Sequence, residues 1–144
     1  MSDPEGLLDT SALLALRGLS DPTLLPDVAL ISAITLAELT VGPLAASDQT
    51  ERARRLAHLQ QAEADFDPLP FDAPAARAFG LVAAAYRRSG RKPAARAFDA
   101  LIAATAIANG LPLYTANPTD FAGIDDLVVR TIPAPGPAAG TKRR

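Results

Sequence analysis

The chain of 144 residues contains no cysteine and a single histidine. Disulfides, thiolate catalysis and cysteine-held zinc are therefore excluded, and a bound metal would have to be held almost entirely by oxygen. Oxygen donors of the carboxylate kind favour magnesium or manganese. No uncharged apolar run approaches the ~18 residues that span a bilayer, and the N-terminus has neither a basic region nor the apolar core of a secretory signal. The expected compartment is the cytoplasm. No glycine-rich loop ending in Gly-Lys-Ser/Thr is present, which disfavours a P-loop enzyme. Aromatic residues make up only 5% of the chain, so there is little material for stacking on bases. A formal net charge of −2 argues against a general duplex-binding protein, which carries a strongly basic face.

One local absence runs against that average. From Ala73 to Phe98 there is no acidic residue, while Arg77, Arg87, Arg88, Arg91, Lys92 and Arg96 are all basic. Such a block is either a solvated helix end and loop or a local surface for phosphates. The residues Arg87, Arg88, Arg91, Lys92 and Arg96 are the candidates for contact with a nucleic-acid backbone.

What is present is a regular alternation of elements. Hydrophobic residues reach 49%, enough for one well-buried core in a single domain over residues 1–132. Strands are expected at Gly6–Leu8, Val28–Ile31, Leu113–Thr115 and Leu127–Arg130. Helices are expected over Ser11–Leu16, after the capping residue Ser32, over Asp48–Ala64, over Pro74–Arg88 and over Ala97–Asn109, where Gly110 ends the last. The proline- and glycine-rich stretch 133–144 cannot bury a core and is expected to be a disordered tail. Alternating strands and helices define an α/β domain with a mainly parallel central sheet.

That fold gives four distant carboxylates a common address. Asp9 follows the first strand and Asp120 lies in the loop after the third, so both belong at the carboxyl edge of the sheet, where open α/β folds place their sites. Glu38 falls early in the helix that leaves the second strand. Asp99 lies in the first turn of a helix that starts at the same edge, facing the positive end of its dipole. Taken singly, each has a plainer explanation: Asp9 as a helix cap, Asp99 as a first-turn acid, Asp120 as a turn former. Glu38 is harder to dismiss, set among Ile34, Leu36, Leu39 and Val41. Four carboxylates sharing an edge repel one another and point to a hard cation, which polarises a scissile phosphate and activates water for phosphodiester hydrolysis.

The same residues carry a family resemblance. The segments Leu7-Leu8-Asp9-Thr10-Ser11-Ala12-Leu13-Leu14-Ala15-Leu16, Ile31 to Gly42 around Glu38, Phe98-Asp99-Ala100-Leu101-Ile102-Ala103-Ala104-Thr105-Ala106 and Leu113-Tyr114-Thr115-Ala116-Asn117-Pro118-Thr119-Asp120-Phe121 stand in the order seen in the PIN-domain ribonucleases. Over Leu7 to Ile132 the chain resembles that family, and within it the VapC-type toxins of type II toxin–antitoxin pairs. The resemblance implies a three-layer α/β/α domain and a Mg2+- or Mn2+-dependent endoribonuclease acting on transfer or ribosomal RNA. Asp9, Glu38 and Asp99 match its three core acids. The fourth position is filled by Asp120 or left to Asn117, where many relatives carry Asp. Thr10, Ser11, Thr115 and Asn117 match its polar supporting groups. It further implies a VapB-type antitoxin partner and a homodimer.

Two other readings compete. A phosphoryl-transfer enzyme with Asp9 as nucleophile would want a second aspartate where Ser11 stands. A non-catalytic RNA- or partner-binding module has no use for Glu38 in an apolar helix. His58, beside Arg54 and Arg55, is expected to be a surface residue, and Tyr114 a core residue of its strand.

Overall fold

The computed structural model describes residues 2–92 and 96–134. The tail expected over 133–144 therefore lies, from residue 135 onward, outside the described residues, as does Pro93. Four parallel strands, β1 (Glu5–Leu8), β2 (Val28–Ile31), β3 (Leu113–Thr115) and β4 (Val129–Thr131), form one sheet in the order β2-β1-β3-β4. Five α-helices are described: α1 (Thr10–Ala15), α2 (Ala33–Val41), α3 (Gln49–Asp65), α4 (Ala73–Arg88) and α5 (Ala97–Ala108).

Sequence alternation sorts these helices onto two faces. Leu7 pairs in register with Leu30 and Leu113, and this row packs on Val82, Ala85 and Tyr86 of α4 and on Ile102, Ala103 and Ala106 of α5. Leu8 pairs with Ile31 and Tyr114, and that row packs on Ala12 and Ala15 of α1 and Ala62 of α3. A slip of one residue in β1 would exchange Leu7 and Leu8 between the two cores, so the register is strongly specified. Ala100, Ala103, Ala104 and Ala106 of α5 are fully buried, and their small side chains let that helix lie close to its neighbours.

Gly6 is dictated by packing. A Cβ there would sit 2.5 Å from Tyr114 Cε1 and 2.8 Å from its Cδ1, closer than real side chains allow, and a tight 3.1 Å from Pro26 Cβ. Beyond β2, the edge is covered by the segment after α3: Leu69 N donates to Ile31 O (2.9 Å) and Ala33 N to Leu69 O (2.8 Å), which satisfies groups that an open edge would leave unpaired.

Caps fall where the polar residues before each helix place them. Asp9, Ser32, Asp48 and Asp72 each accept a hydrogen bond from a backbone N–H in the first turn of α1, α2, α3 and α4. α4 ends at Ser89 and Gly90, whose φ of 77° lets the chain turn back so that Arg91 N reaches Tyr86 O (2.9 Å). Two boundaries differ from expectation. The helix begun at Thr10 yields to a 3₁₀ turn at Leu16–Gly18. β4 begins two residues later than its apolar run, because Leu127 N closes a turn onto Ile124 O (3.1 Å) and its side chain joins the core, so pairing starts at Val128 O.

β1 leads to β2 on one side, and β3 then lies on the other side of β1. The chain reverses direction across the sheet between β1 and β3, and a crevice opens there at the carboxyl ends of both strands. Asp9 and Thr115 stand at its two lips.

Candidate active site

Asp9 is 4% exposed and is held by three donors. Its Oδ1 accepts from Ser11 Oγ (2.7 Å) and Ala12 N (2.8 Å), and its Oδ2 accepts from Thr115 Oγ1 (2.6 Å). The helix-capping role of Asp9 uses Oδ1, while Oδ2 is turned to Thr115 across the crevice. Ser11 Oγ in turn accepts from Ala116 N (3.0 Å), and Thr115 Oγ1 from Asn117 N (2.9 Å). Each hydroxyl spends its proton on Asp9 and its lone pair on the loop after β3, which locks β1 to β3 across the crevice. Burial pushes the Asp9 carboxyl above its usual range against these three hydrogen bonds, with the nearby Asp120 charge adding to the rise.

Glu38 lies in the second turn of α2 and not at its start. Helical side chains lean toward the N-terminus, so it still reaches back to the sheet edge. There Oε1 accepts from Thr10 Oγ1 (2.5 Å), which also lies 3.2 Å from the buried Thr35 Oγ1. Burial raises the Glu38 pKa, Thr10 lowers it and the Asp9 charge raises it further.

Asp99, in the first turn of α5, has the strongest perturbation of the four. Burial, then the charges of Asp120, Glu38 and Asp9, push it up to about 6, and Arg96 opposes them. The three other carboxylates therefore lie within electrostatic reach of Asp99. Asp120 sits in the 3₁₀ turn Pro118–Phe121. Its carbonyl accepts from Tyr86 Oη (3.2 Å) and Arg91 Nη1 (3.0 Å), and its Oδ1 from Arg96 Nη1 (2.7 Å). Asn117 is exposed and contributes its backbone N–H to Thr115. Of the two candidates for the fourth acidic position, Asp120 is the one whose charge bears on Asp9 and Asp99.

The basic block divides. Arg87 and Arg88 are exposed at the last turn of α4, and Lys92 is exposed beyond it. Arg91 lies over the Tyr86 ring at 4.4 Å, and its guanidinium donates to the carbonyls of Asp120 and Ala122. It is a clamp on the Asp120 loop. Arg96 turns into the acids. Tyr86 is fully buried and cannot stack on a base, while Tyr114 is the expected core residue and donates to Asp3 Oδ2 (2.5 Å). His58 is partly buried on α3, in a groove of about 360 Å3 that runs from Thr10 and Glu38 past Arg54 and Arg55. The Arg96 contact, the Tyr86–Arg91 clamp and Thr35 were not foreseen from sequence. For Arg96 one signal existed, its placement three residues ahead of Asp99, where helix neighbours meet.

The donor set fits a hard divalent cation: carboxylate oxygens backed by hydroxyls, with mutual repulsion that Arg96 partly offsets at Asp99. Among the described residues no three acidic or imidazole side chains are already gathered into a metal cage. Asp9, Glu38, Asp99 and Asp120 are the residues that would hold such an ion.

The PIN-domain family profile matches residues 6–127. Ribonuclease VapC5 of Mycobacterium tuberculosis is 41% identical over 122 residues, spanning 83% of this chain and 87% of that protein. Ribonuclease VapC of Rickettsia bellii is 32% identical over 131 residues, spanning 88% and 96%. Among solved structures, that of VapBC-5 from M. tuberculosis, a member of the VapBC family of toxin–antitoxin systems, superposes with a TM-score of 0.75 at 39% identity, covering 91% of this chain and 99% of that one. The chain belongs to the PIN-domain family, in its VapC ribonuclease branch. Among the described residues no helix is long and apolar enough to cross a membrane.

Proposed function

We propose that this protein is the toxin of a type II toxin–antitoxin pair, a Mg2+- or Mn2+-dependent endoribonuclease that cuts transfer or ribosomal RNA and is held inactive by a cognate VapB-type antitoxin. The observation that carries the reading is the convergence of Asp9, Glu38, Asp99 and Asp120 near the β1–β3 crevice, where burial, and then the charges of the other three acids, push Asp99 up to about 6. Relatives named ribonucleases and a superposable VapBC toxin–antitoxin structure support it. A homodimer and a cytoplasmic location belong to the same reading.

A bound divalent ion supplies charge that stabilises the phosphorane-like transition state and eases loss of a proton from water. The protein's part is preorganisation. Ser11, Thr115 and Ala12 N aim the Asp9 carboxylate, and Thr10 aims Glu38. Asp99 has to lose its proton before it can ligate, so ion affinity rises as pH passes through about 6. Arg87, Arg88 and Lys92 stand free to meet phosphates flanking the cut.

The absence of a ready-made cage favours one competitor, a non-catalytic module of the same fold. Purified protein without antitoxin, incubated with total RNA in magnesium, manganese or chelator beside Asp9→Ala, separates the two. Metal-dependent fragments lost in the variant are expected; intact RNA under every condition, with the protein folded, would favour the module.

A further inference from the structure

Four of the five helices start on an Asp or Ser that accepts from its own first turn. α5 starts on Arg96, which makes no such bond and sets a cation at the positive end of the helix dipole, an arrangement that destabilises a helix by itself. The side chain goes elsewhere. Its Nη1 lies 2.7 Å from Asp120 Oδ1 and 3.9 Å from Asp99 Oδ2, bridging an acid of the loop after β3 and an acid of the first turn of α5.

We propose that Arg96 is an internal counter-cation of the acid pocket, and that a divalent ion binds by displacing it from Asp120 and Asp99. The inference rests on the reading of those two acids as ion ligands. Three features make the guanidinium replaceable. It is 42% exposed, with the Asp120 side chain 27% exposed, so solvent screens the pair. It reaches Asp120 through one nitrogen and so lacks the two-pronged geometry of strong Arg–carboxylate pairs. It brings one charge to a site whose four acids would prefer two.

Arg96 is also dispensable to the architecture around it. The Asp120 loop is held through its backbone by Tyr86 Oη, by Arg91 and by Asp120 N donating to Asn117 O (3.1 Å). Removing Arg96 therefore takes away a competing charge without releasing the loop. In the unloaded protein Arg96 limits repulsion between Asp99 and Asp120; in the loaded one it is free at the rim of the pocket.

The test is calorimetric titration of Mn2+ into the wild type, Arg96→Gln, Arg96→Lys and Asp99→Asn, with melting temperature recorded with and without the ion. Arg96→Gln is expected to bind Mn2+ about three- to tenfold more tightly, the range for loss of a partly screened competing pair. Arg96→Lys should stay near the wild type. The rise in melting temperature on adding Mn2+ should be larger in Arg96→Gln, because its unloaded state carries the uncompensated acids. Equal or weaker binding by Arg96→Gln, with Asp99→Asn abolishing binding, would overturn the counter-cation role and leave the metal reading standing. No binding by the folded wild type would overturn both.

Discussion

Asp99→Asn is expected to make the unloaded protein more stable at neutral pH while destroying its affinity for the ion. The carboxyl is raised from 3.8 to about 6, chiefly by burial and then by Asp120, Glu38 and Asp9. Two pH units at ~1.36 kcal/mol each correspond to about 3 kcal/mol of unfavourable ionisation in the folded state. With 27% of the side chain exposed, ~2–3 kcal/mol is the range to expect. Asn is nearly isosteric, and among the described residues the pairing it gives up is the 3.9 Å contact with Arg96, so little is lost against this gain. The sign follows from proton counting. Between pH ~4 and ~6 the folded state holds a proton that the unfolded chain has released, so wild-type stability falls as pH rises through that window. The variant lacks this contribution. Urea unfolding in chelator should show the two proteins nearly equal at pH 4 and separated by ~2–3 kcal/mol at pH 7.5, or roughly 6–12 °C in melting temperature. Adding Mn2+ should then stabilise only the wild type. A variant no more stable at pH 7.5, or a gap of the same size at both pH values, would refute the raised Asp99 carboxyl on which the reasoning rests.

Thr115→Val removes the donor to Asp9 Oδ2 and the acceptor for Asn117 N in a fully buried position. A loss of about 2 kcal/mol in urea unfolding and of roughly tenfold in Mn2+ affinity is expected, with Thr115→Ser recovering most of both. Gly6→Ala should cost about 1–3 kcal/mol, because the new Cβ meets the Tyr114 ring; a neutral denaturation midpoint would contradict the close packing there. Replacing both Arg87 and Arg88 by Gln should flatten the salt dependence of RNA binding by about 0.7 in log–log slope per lost phosphate contact, measured by filter binding. An unchanged slope would return those side chains to plain solvation of the helix end.

Much of the frame is legible because it is written locally. Val28–Ile31 and Leu113–Thr115 are apolar runs bounded by breakers, and both form strands at those residues. Ser32 caps α2, and Asp48 and Pro74 mark the starts of α3 and α4 within a residue of their expected places. The start of β4 is not legible locally, because an apolar run does not tell which of its residues turn into the core, as Leu127 does, and which pair. Arg91 and Arg96 were grouped with their basic neighbours for the same reason: a charge run has no direction until the fold supplies one.

The sequence alone determined the α/β class and the helix starts, since period and capping depend on neighbours a few residues apart. Only the tertiary structure decided the strand order β2-β1-β3-β4, and with it which hydroxyls reach Asp9 and which arginine enters the pocket. Thr115 lies 106 residues from Asp9 and still donates to it at 2.6 Å. Such a bond depends on packing the whole sheet, and no local pattern in either segment encodes the distance between them.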